Sequence, residues 1–284
     1  MSTYSVIEPK RRTTSVLFAS PHSGRDYPQD LLSRTVLDPV TIRSSEDAFV
    51  DQLFSSAPRF GAPLLLAKTP RAYVDLNRSA DEMDHALIEG VRKVSGNPRV
   101  ASGLGVIPRV VANGRAIYRG KLTREEADNR MKTVWYPYHA ALQGLIAKNV
   151  EDFGRAILID CHSMPHEAIQ TMSRGRHAPD VVLGDRFGAT AAGSIVDTVE
   201  AIFTSAGLTV ARNSPFAGAF TATHYGFPSK GQHVIQVEID RGLYMDETTL
   251  MPHSGFDAFR QTVNQVIAAI AAIGRRDAMP MAAE

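Results

Sequence analysis

Residues 155–164, R-A-I-L-I-D-C-H-S-M, constrain the fold more than any other stretch of this chain. Four apolar or small residues at 156–159 run directly into Asp160, Cys161, His162 and Ser163. An unbroken apolar run of this length is the pattern of a strand buried on both faces, as in a parallel sheet. Polar residues at its end then lie at the carboxyl edge of the sheet, where open α/β proteins build their sites. Asp160 and His162 are therefore the reference point for the other polar clusters. The plainer account is an imidazole satisfied within a strand-to-loop turn.

Further strands are predicted at 15–19 (S-V-L-F-A), 63–67 (P-L-L-L-A), 181–183, 208–211 and 233–239 (H-V-I-Q-V-E-I). Helices are predicted from near Glu46, capped by Ser44 or Ser45, and over 188–206 and 255–273. Thr123 with Glu126 three residues on is a capping box. Its helix should reach about Tyr136, break at Pro137 and resume through Ala147, with Trp135, Tyr136, Tyr138 and His139 as core packing. Residues 80–120 read as an insertion over the sheet, 165–187 as a long irregular excursion and 214–231 as a loop. Alternating strands and helices imply one α/β catalytic domain over 15–273 with a mostly parallel or mixed central sheet flanked by helices. Residues 1–14 are expected to be a flexible lead-in and 274–284 a tail.

The totals exclude several classes. With 284 residues, 44% of them hydrophobic, the chain can bury a large core. Its 31 Lys+Arg against 30 Asp+Glu form no basic block, so no nucleic-acid partner is expected. The single cysteine excludes an internal disulfide framework and fits a reducing compartment. No signal-peptide pattern is found, and no apolar stretch approaches the roughly 20 residues of a membrane span. A soluble, cytoplasmic protein is expected.

The polar groups at strand ends can then be set side by side: His22, Glu46 and Asp47, then Asp75, Asn77 and Arg78, then Asp160 and His162, then Glu238 and Asp240. Two histidines and a carboxylate from separate elements are what a catalytic zinc needs, with its fourth position left to water. A further carboxylate can move protons between that water and a leaving amine. The spacing matches no short metal motif such as H-E-x-x-H, so spacing alone does not decide for a metal. Arg78 suits a substrate carboxylate, or pairs within the protein with Asp75 or Asp81. Cys161 is expected to be packed, since a catalytic thiol needs a basic partner. Ser20, Ser23 and Ser163 lie in no G-x-S-x-G elbow. His139 and His166 read as structural. His224, beside Tyr225 after a Gly-containing loop, either reaches a transition-state oxyanion or stabilises a turn.

An ordered set of blocks resembles the N-formylglutamate amidohydrolase family. They are S-P-H-S-G-x-x-Y-P at 20–28, E-D-x-x-V-D-x-L-F at 46–54 and R-x-Y-V-D-L-N-R at 71–78. W-Y-P-Y-H at 135–139, I-L-I-D-C-H-S-M at 157–164 and P-D-V-V-L-G-D at 179–185 follow. T-x-T-H-Y-G at 221–226 and H-V-I-Q-V-E-I-D-R-G-L-Y-M-D-E at 233–247 complete the set. The resemblance implies a phosphorylase/hydrolase-like, zinc-exopeptidase-like α/β fold with one zinc ion per chain. It also implies hydrolysis of N-formyl-L-glutamate to L-glutamate and formate, a late step of histidine degradation. By position it makes His22, Asp47 and His162 the metal ligands, with Glu46 the rival for the carboxylate, and Glu238 the general base. Asn77 and Arg78 would clamp the carboxylate of a small N-acyl substrate. One departure matters: S-P-F-A-G-A-F-T-A-T-H-Y-G at 214–226 lacks the cations of the family's R-F-K-G-G and T-R-H-Y-G runs. Arg212 is the candidate replacement. The alternatives are a zinc deacylase or carboxypeptidase-like hydrolase of another N-acyl amino acid or small peptide, a non-enzymatic small-anion-binding protein, and a cysteine hydrolase using Cys161.

Overall fold

A computed structural model describes residues 2–93, 96–173 and 178–275. Seven strands form its main sheet: β1 (Tyr4–Ile7), β2 (Val16–Ser20), β3 (Leu64–Ala67), β4 (Ala156–Met164), β5 (Val181–Gly184), β6 (Val210–Arg212) and β7 (Gln232–Asp240). Their order is β1-β3-β2-β4-β7-β5-β6. The middle four, β3, β2, β4 and β7, run parallel, whereas β1 and β5 pair antiparallel to their neighbours β3 and β7. The sheet is therefore mixed, with a parallel centre. Four carboxyl ends open onto one edge, which is why polar groups far apart in sequence meet there.

The pleat of β4 and β7 sorts their side chains. Ile157, Ile159 and Cys161 join Ile235, Val237 and Ile239 in one apolar layer, covered by the helices Gly193–Ser205 and Phe256–Ile273. Ala156, Leu158 and Val234 face a second layer, packed by the helix Tyr136–Phe153 and by apolar residues of the stretches 72–88 and 106–122. Asp160 and His162 continue that second face, because side chains alternate along a strand. Cys161 points the other way, is fully buried, and its thiol is pushed well above its ordinary pKa by burial. It is packed in the core, as expected, and carries no nucleophile.

Several local expectations are corrected. The lead-in is not loose at Tyr4–Ile7, which adds an edge strand in register with Leu64–Ala67. No helix begins at Glu46: the Asp47 amide donates to His22 O at 3.0 Å, and Phe49 takes a left-handed φ of 66° before the one-turn helix Val50–Leu53. Pairing with the His22 segment overrides the capping signal of Ser44 and Ser45. The Thr123 capping box is present, with both reciprocal bonds, and starts Arg124–Arg130. The chain then stays helical through Pro137, because a π-turn at Met131–Trp135 shifts the hydrogen-bond register just before the proline. The excursion after β4 contains the helix His166–Ser173, and the loop after β6 contains Phe220–Tyr225. The next helix starts at Gly193 and not at Gly188, since Arg186, Phe187 and Gly188 all hold positive φ. Most of the expected tail, 276–284, lies outside the described residues.

Candidate active site

At the carboxyl edge of the parallel strands lies a cavity of about 730 Å³, lined among others by His22, Asp47, Arg71, Asn77, Arg78 and Glu238. His22 sits two residues past the end of β2, His162 in the last turn of the pleat of β4, and Asp47 on the loop bonded to His22. The three are buried and offer ligand atoms within 4.8 Å of one another. His162 Nδ1 is 3.0 Å and His22 Nδ1 3.4 Å from Asp47 Oδ2. Both imidazoles thus direct Nδ1 inward.

Their outward nitrogens are each held by a carboxylate: His22 Nε2 by Asp75 Oδ1 at 2.7 Å, and His162 Nε2 by Asp160 Oδ2 at 3.0 Å. Metal-binding histidines characteristically carry such carboxylate partners, which fix the tautomer and raise the basicity of the other nitrogen. His22 Nδ1 is moreover a buried nitrogen with no hydrogen-bond partner. The unpartnered His22 Nδ1, the His162 Nδ1 opposite it and the ionised Asp47 carboxylate between them fit a metal of the zinc type, and the donor set N, N, O leaves one position open.

The electrostatics agree. Burial pushes the Asp47 carboxyl up, but hydrogen bonds and charge from His162 and His22 outweigh it and hold Asp47 well below the usual range. Burial likewise opposes charge on His162, yet Asp160 and Asp47 raise its pKa well above the ordinary value. Arg241 Nη2 donates to Asp47 Oδ1 at 3.2 Å and its Nε to Ser163 Oγ, fixing the carboxylate from behind. Glu46 is turned elsewhere, accepting from Tyr27 Oη at 2.5 Å and from Arg43. Asp47, and not Glu46, is the carboxylate that faces the two imidazoles.

Glu238 is opposite His162 in the β4–β7 register, on the same face of the sheet. Gln236 Nε2 donates to its Oε1 at 2.8 Å. Burial is the main reason that its pKa rises to about 7; the nearby His162 and Arg71 lower it, while Asp47 and Asp160 raise it. A carboxyl poised near neutrality beside a metal-type site is suited to accept and release a proton.

Residues 14–245, which carry all of these groups, match the N-formylglutamate amidohydrolase family. This chain belongs to that family. It is 27% identical over 276 residues to an N-formylglutamate deformylase of Pseudomonas aeruginosa, covering 95% of this chain and 97% of the relative. A Pseudomonas putida protein of the same name is 28% identical over 82% of each chain. The crystal structure of an N-formylglutamate amidohydrolase from Ralstonia eutropha JMP134 superposes with a TM-score of 0.90 at 34% identity, covering 96% of this chain and 99% of that one. A more distant protein of Agrobacterium tumefaciens shares the fold, with a TM-score of 0.65 at 16% identity over 96% and 95% of the two chains.

The remaining site expectations for this amidohydrolase divide. Asn77 lines the cavity, but its amide is spent within the protein: Oδ1 accepts from the Thr221 amide, and Nδ2 donates toward Asp160 Oδ2 and Gln236 Oε1. It holds the site together. Arg78 also lines the cavity, with Nε and Nη1 on the carbonyls of Leu104 and Asn77. Arg212 is not brought to the site; it reaches across to Asp197 and Glu200 on the helix Gly193–Ser205. The strand β6 is at the far edge of the sheet, so its arginine falls beside that helix. His224 is exposed, stacks on Phe220 with ring centroids 4.7 Å apart, and is not among the residues lining the cavity.

Sequence reasoning missed Arg71, Gln236 and Arg241. Arg71 Nη2 donates to Asp75 Oδ2 at 2.8 Å, and its Nη1 lies 3.9 Å from Asp47. All three stand inside the motif blocks at 71–78 and 233–247, so the signal was available, but nothing in the spacing distinguished them from their neighbours. His139, expected to pack, also braces: burial lowers its pKa to about 3, so the neutral ring donates through Nε2 to Leu76 O and accepts from Tyr225 Oη. Trp135 Nε1 donates to Arg78 O at 3.0 Å. His166 pairs with Asp240 at 2.7 Å and is not part of the cluster of His22, Asp47 and His162.

Proposed function

We propose that this chain hydrolyses the formyl amide of N-formyl-L-glutamate to L-glutamate and formate, using one zinc ion held by His22, Asp47 and His162. The observation that carries the proposal is the convergence of two carboxylate-backed Nδ1 atoms and Asp47, with Glu238 on the next strand in register with His162. A purely anion-binding role requires no such proton-transfer group.

A metal held there supplies Lewis acidity toward the formyl carbonyl and toward the attacking water. Glu238 takes the proton from that water as its oxygen bonds to the formyl carbon. It then delivers the proton to the nitrogen as the C–N bond breaks, releasing the amine and formate. Gln236 keeps Glu238 oriented, and Arg241 keeps Asp47 in place. The oxyanion role considered for His224 is better filled by Arg71, whose guanidinium lines the cavity beside Asp47 and Glu238. Arg78 Nη2 makes no hydrogen bond among the described residues and is available to the substrate α-carboxylate.

Formate release and metal content, measured on zinc-loaded wild type, Glu238→Gln and His162→Ala, test this. Glu238→Gln should keep the metal and lose about 10²–10⁴-fold in turnover, the usual worth of a positioned acid–base group. His162→Ala should lose both. Wild-type protein fully active after its metal is stripped would end the proposal.

A further inference from the structure

The loop at 214–226 lacks the family's cations, and Arg212 is committed elsewhere, so any charge for a substrate side chain must come from another part of the chain. Five arginines line the cavity. Arg71 and Arg241 are paired with Asp75 and Asp47, and Arg78 is anchored on two carbonyls. Arg99 and Arg186 have no hydrogen bond or ion pair from their guanidinium groups among the described residues. They enter from different places: Arg99 from the helix Pro98–Ala101, where its charge is felt by Arg78, and Arg186 from the turn after β5.

The turn bearing Arg186 is built at a cost. Arg186 and Phe187 both occupy the left-handed region, with φ of 54° and 57°, which non-glycine residues avoid. Four successive amides hold it there. Those of Asp185 and Phe187 donate to Asn213 Oδ1, that of Arg186 to Ala217 O at 2.8 Å, and that of Gly188 to Asp185 Oδ2. The Arg186 side chain lies along Gly218, where an added Cβ would stand 3.5 Å from its Cγ and Cδ. The same loop crosses β5 so closely that a Cβ on Gly184 would meet Gly218 N at 2.6 Å. Beyond Gly218 it is tied to the catalytic layer, since the Ala219 amide donates to Gln236 Oε1 and the Thr221 amide to Asn77 Oδ1. A strained turn, fastened at every amide, thus sets an unpaired guanidinium in the wall of the cavity that holds Glu238.

We propose that Arg186 is the specificity-determining residue that binds the side-chain carboxylate of the substrate, with Arg78 taking the α-carboxylate. Arg186 thereby replaces the cations missing from the 214–226 loop. The inference rests on the hydrolase reading above and makes the preferred substrate class a dicarboxylic N-formyl amino acid. A planar guanidinium with free donors is the natural bidentate partner for such a group.

The test compares kcat/KM for N-formylglutamate and N-formylglutamine on zinc-loaded wild type, Arg186→Asn, Arg186→Lys and Arg78→Ala. Asparagine suits the left-handed turn better than arginine, so Arg186→Asn removes the charge without adding strain. Wild type should prefer N-formylglutamate by about 100-fold. Arg186→Asn should collapse that ratio, mainly through KM, while Arg186→Lys restores part of it. Arg78→Ala should weaken both substrates together and leave the ratio near its wild-type value. An unchanged ratio in Arg186→Asn overturns the assignment, as does a wild type that turns over both compounds equally well. A metal-loaded wild type that hydrolyses neither overturns the hydrolase reading itself.

Discussion

Glu238, the proposed proton-transfer group, is a carboxyl whose burial, with Asp47 and Asp160 nearby, holds its pKa at about 7, against an ordinary 4.5. The folded protein therefore binds that proton more tightly than the unfolded chain. Neutral Glu238 carries no penalty below about pH 4.5, and stability is lost as pH rises from there toward 7. In metal-free protein, Glu238→Gln should accordingly gain stability over wild type between pH 5 and pH 8, by up to about 3 kcal/mol. Urea denaturation of both proteins across that range measures it. A difference that stays flat with pH would mean that Glu238 ionises normally. The motive for the raised value is positional, since the same side chain on the outer face of an edge strand would be solvated.

At the scale of elements, the site is supported by pieces that do no chemistry. The helical stretch 124–153 passes through a π-turn and Pro137, and from this stretch Trp135 and His139 hold the backbone of Leu76 and Arg78. Its start depends on the Thr123–Glu126 box, at a distance in sequence from every site residue. Thr123→Ala should cost about 1 kcal/mol, the usual worth of an N-cap, and lower Tm by a few degrees. Its kcat/KM at 25 °C should stay within about twofold of wild type. Calorimetry together with the formate assay checks both halves. A large loss of activity without a fall in Tm would show that this helix is coupled to the site more directly than its contacts indicate.

For the molecule as a whole, the proposed metal site would add a polar tie between three segments already packed in one apolar layer: the turn after β2, the loop at 44–49 and the end of β4. A ligand that binds only the folded state stabilises it by mass action, by about 2.7 kcal/mol at a hundredfold excess over Kd. Zinc should therefore raise Tm by several degrees in a concentration-dependent way, and His22→Ala should abolish the increment. A Tm indifferent to zinc in scanning calorimetry would count against the three-residue site. No helix among the described residues is long and apolar enough to cross a membrane.

What was legible from the chain follows from the range of the physics involved. The apolar run into Asp160 and His162, the Thr123 capping box and the strand at 233–239 depend on near neighbours, and each formed as its local pattern predicts. The ordered motif blocks identified the family, and the resemblance made candidates of His22, Asp47, His162 and Glu238, which the fold brings together. Other outcomes turned on partners distant in sequence. Glu46 and Asp47 are adjacent, and only the bonds of Tyr27 and Arg43 to one and of Arg241 and His162 to the other separate their fates. Arg212 was a plausible charge for the substrate until sheet order put β6 at the far edge, beside two acidic groups of a helix. Arg186 was unremarked in sequence because its importance arises from a left-handed turn fixed by Asn213 and Ala217, 27 and more residues away. Local pattern decided which segments became strands and helices, whereas which charges face the cavity was decided by packing, since burial and pairing exist only once distant segments meet.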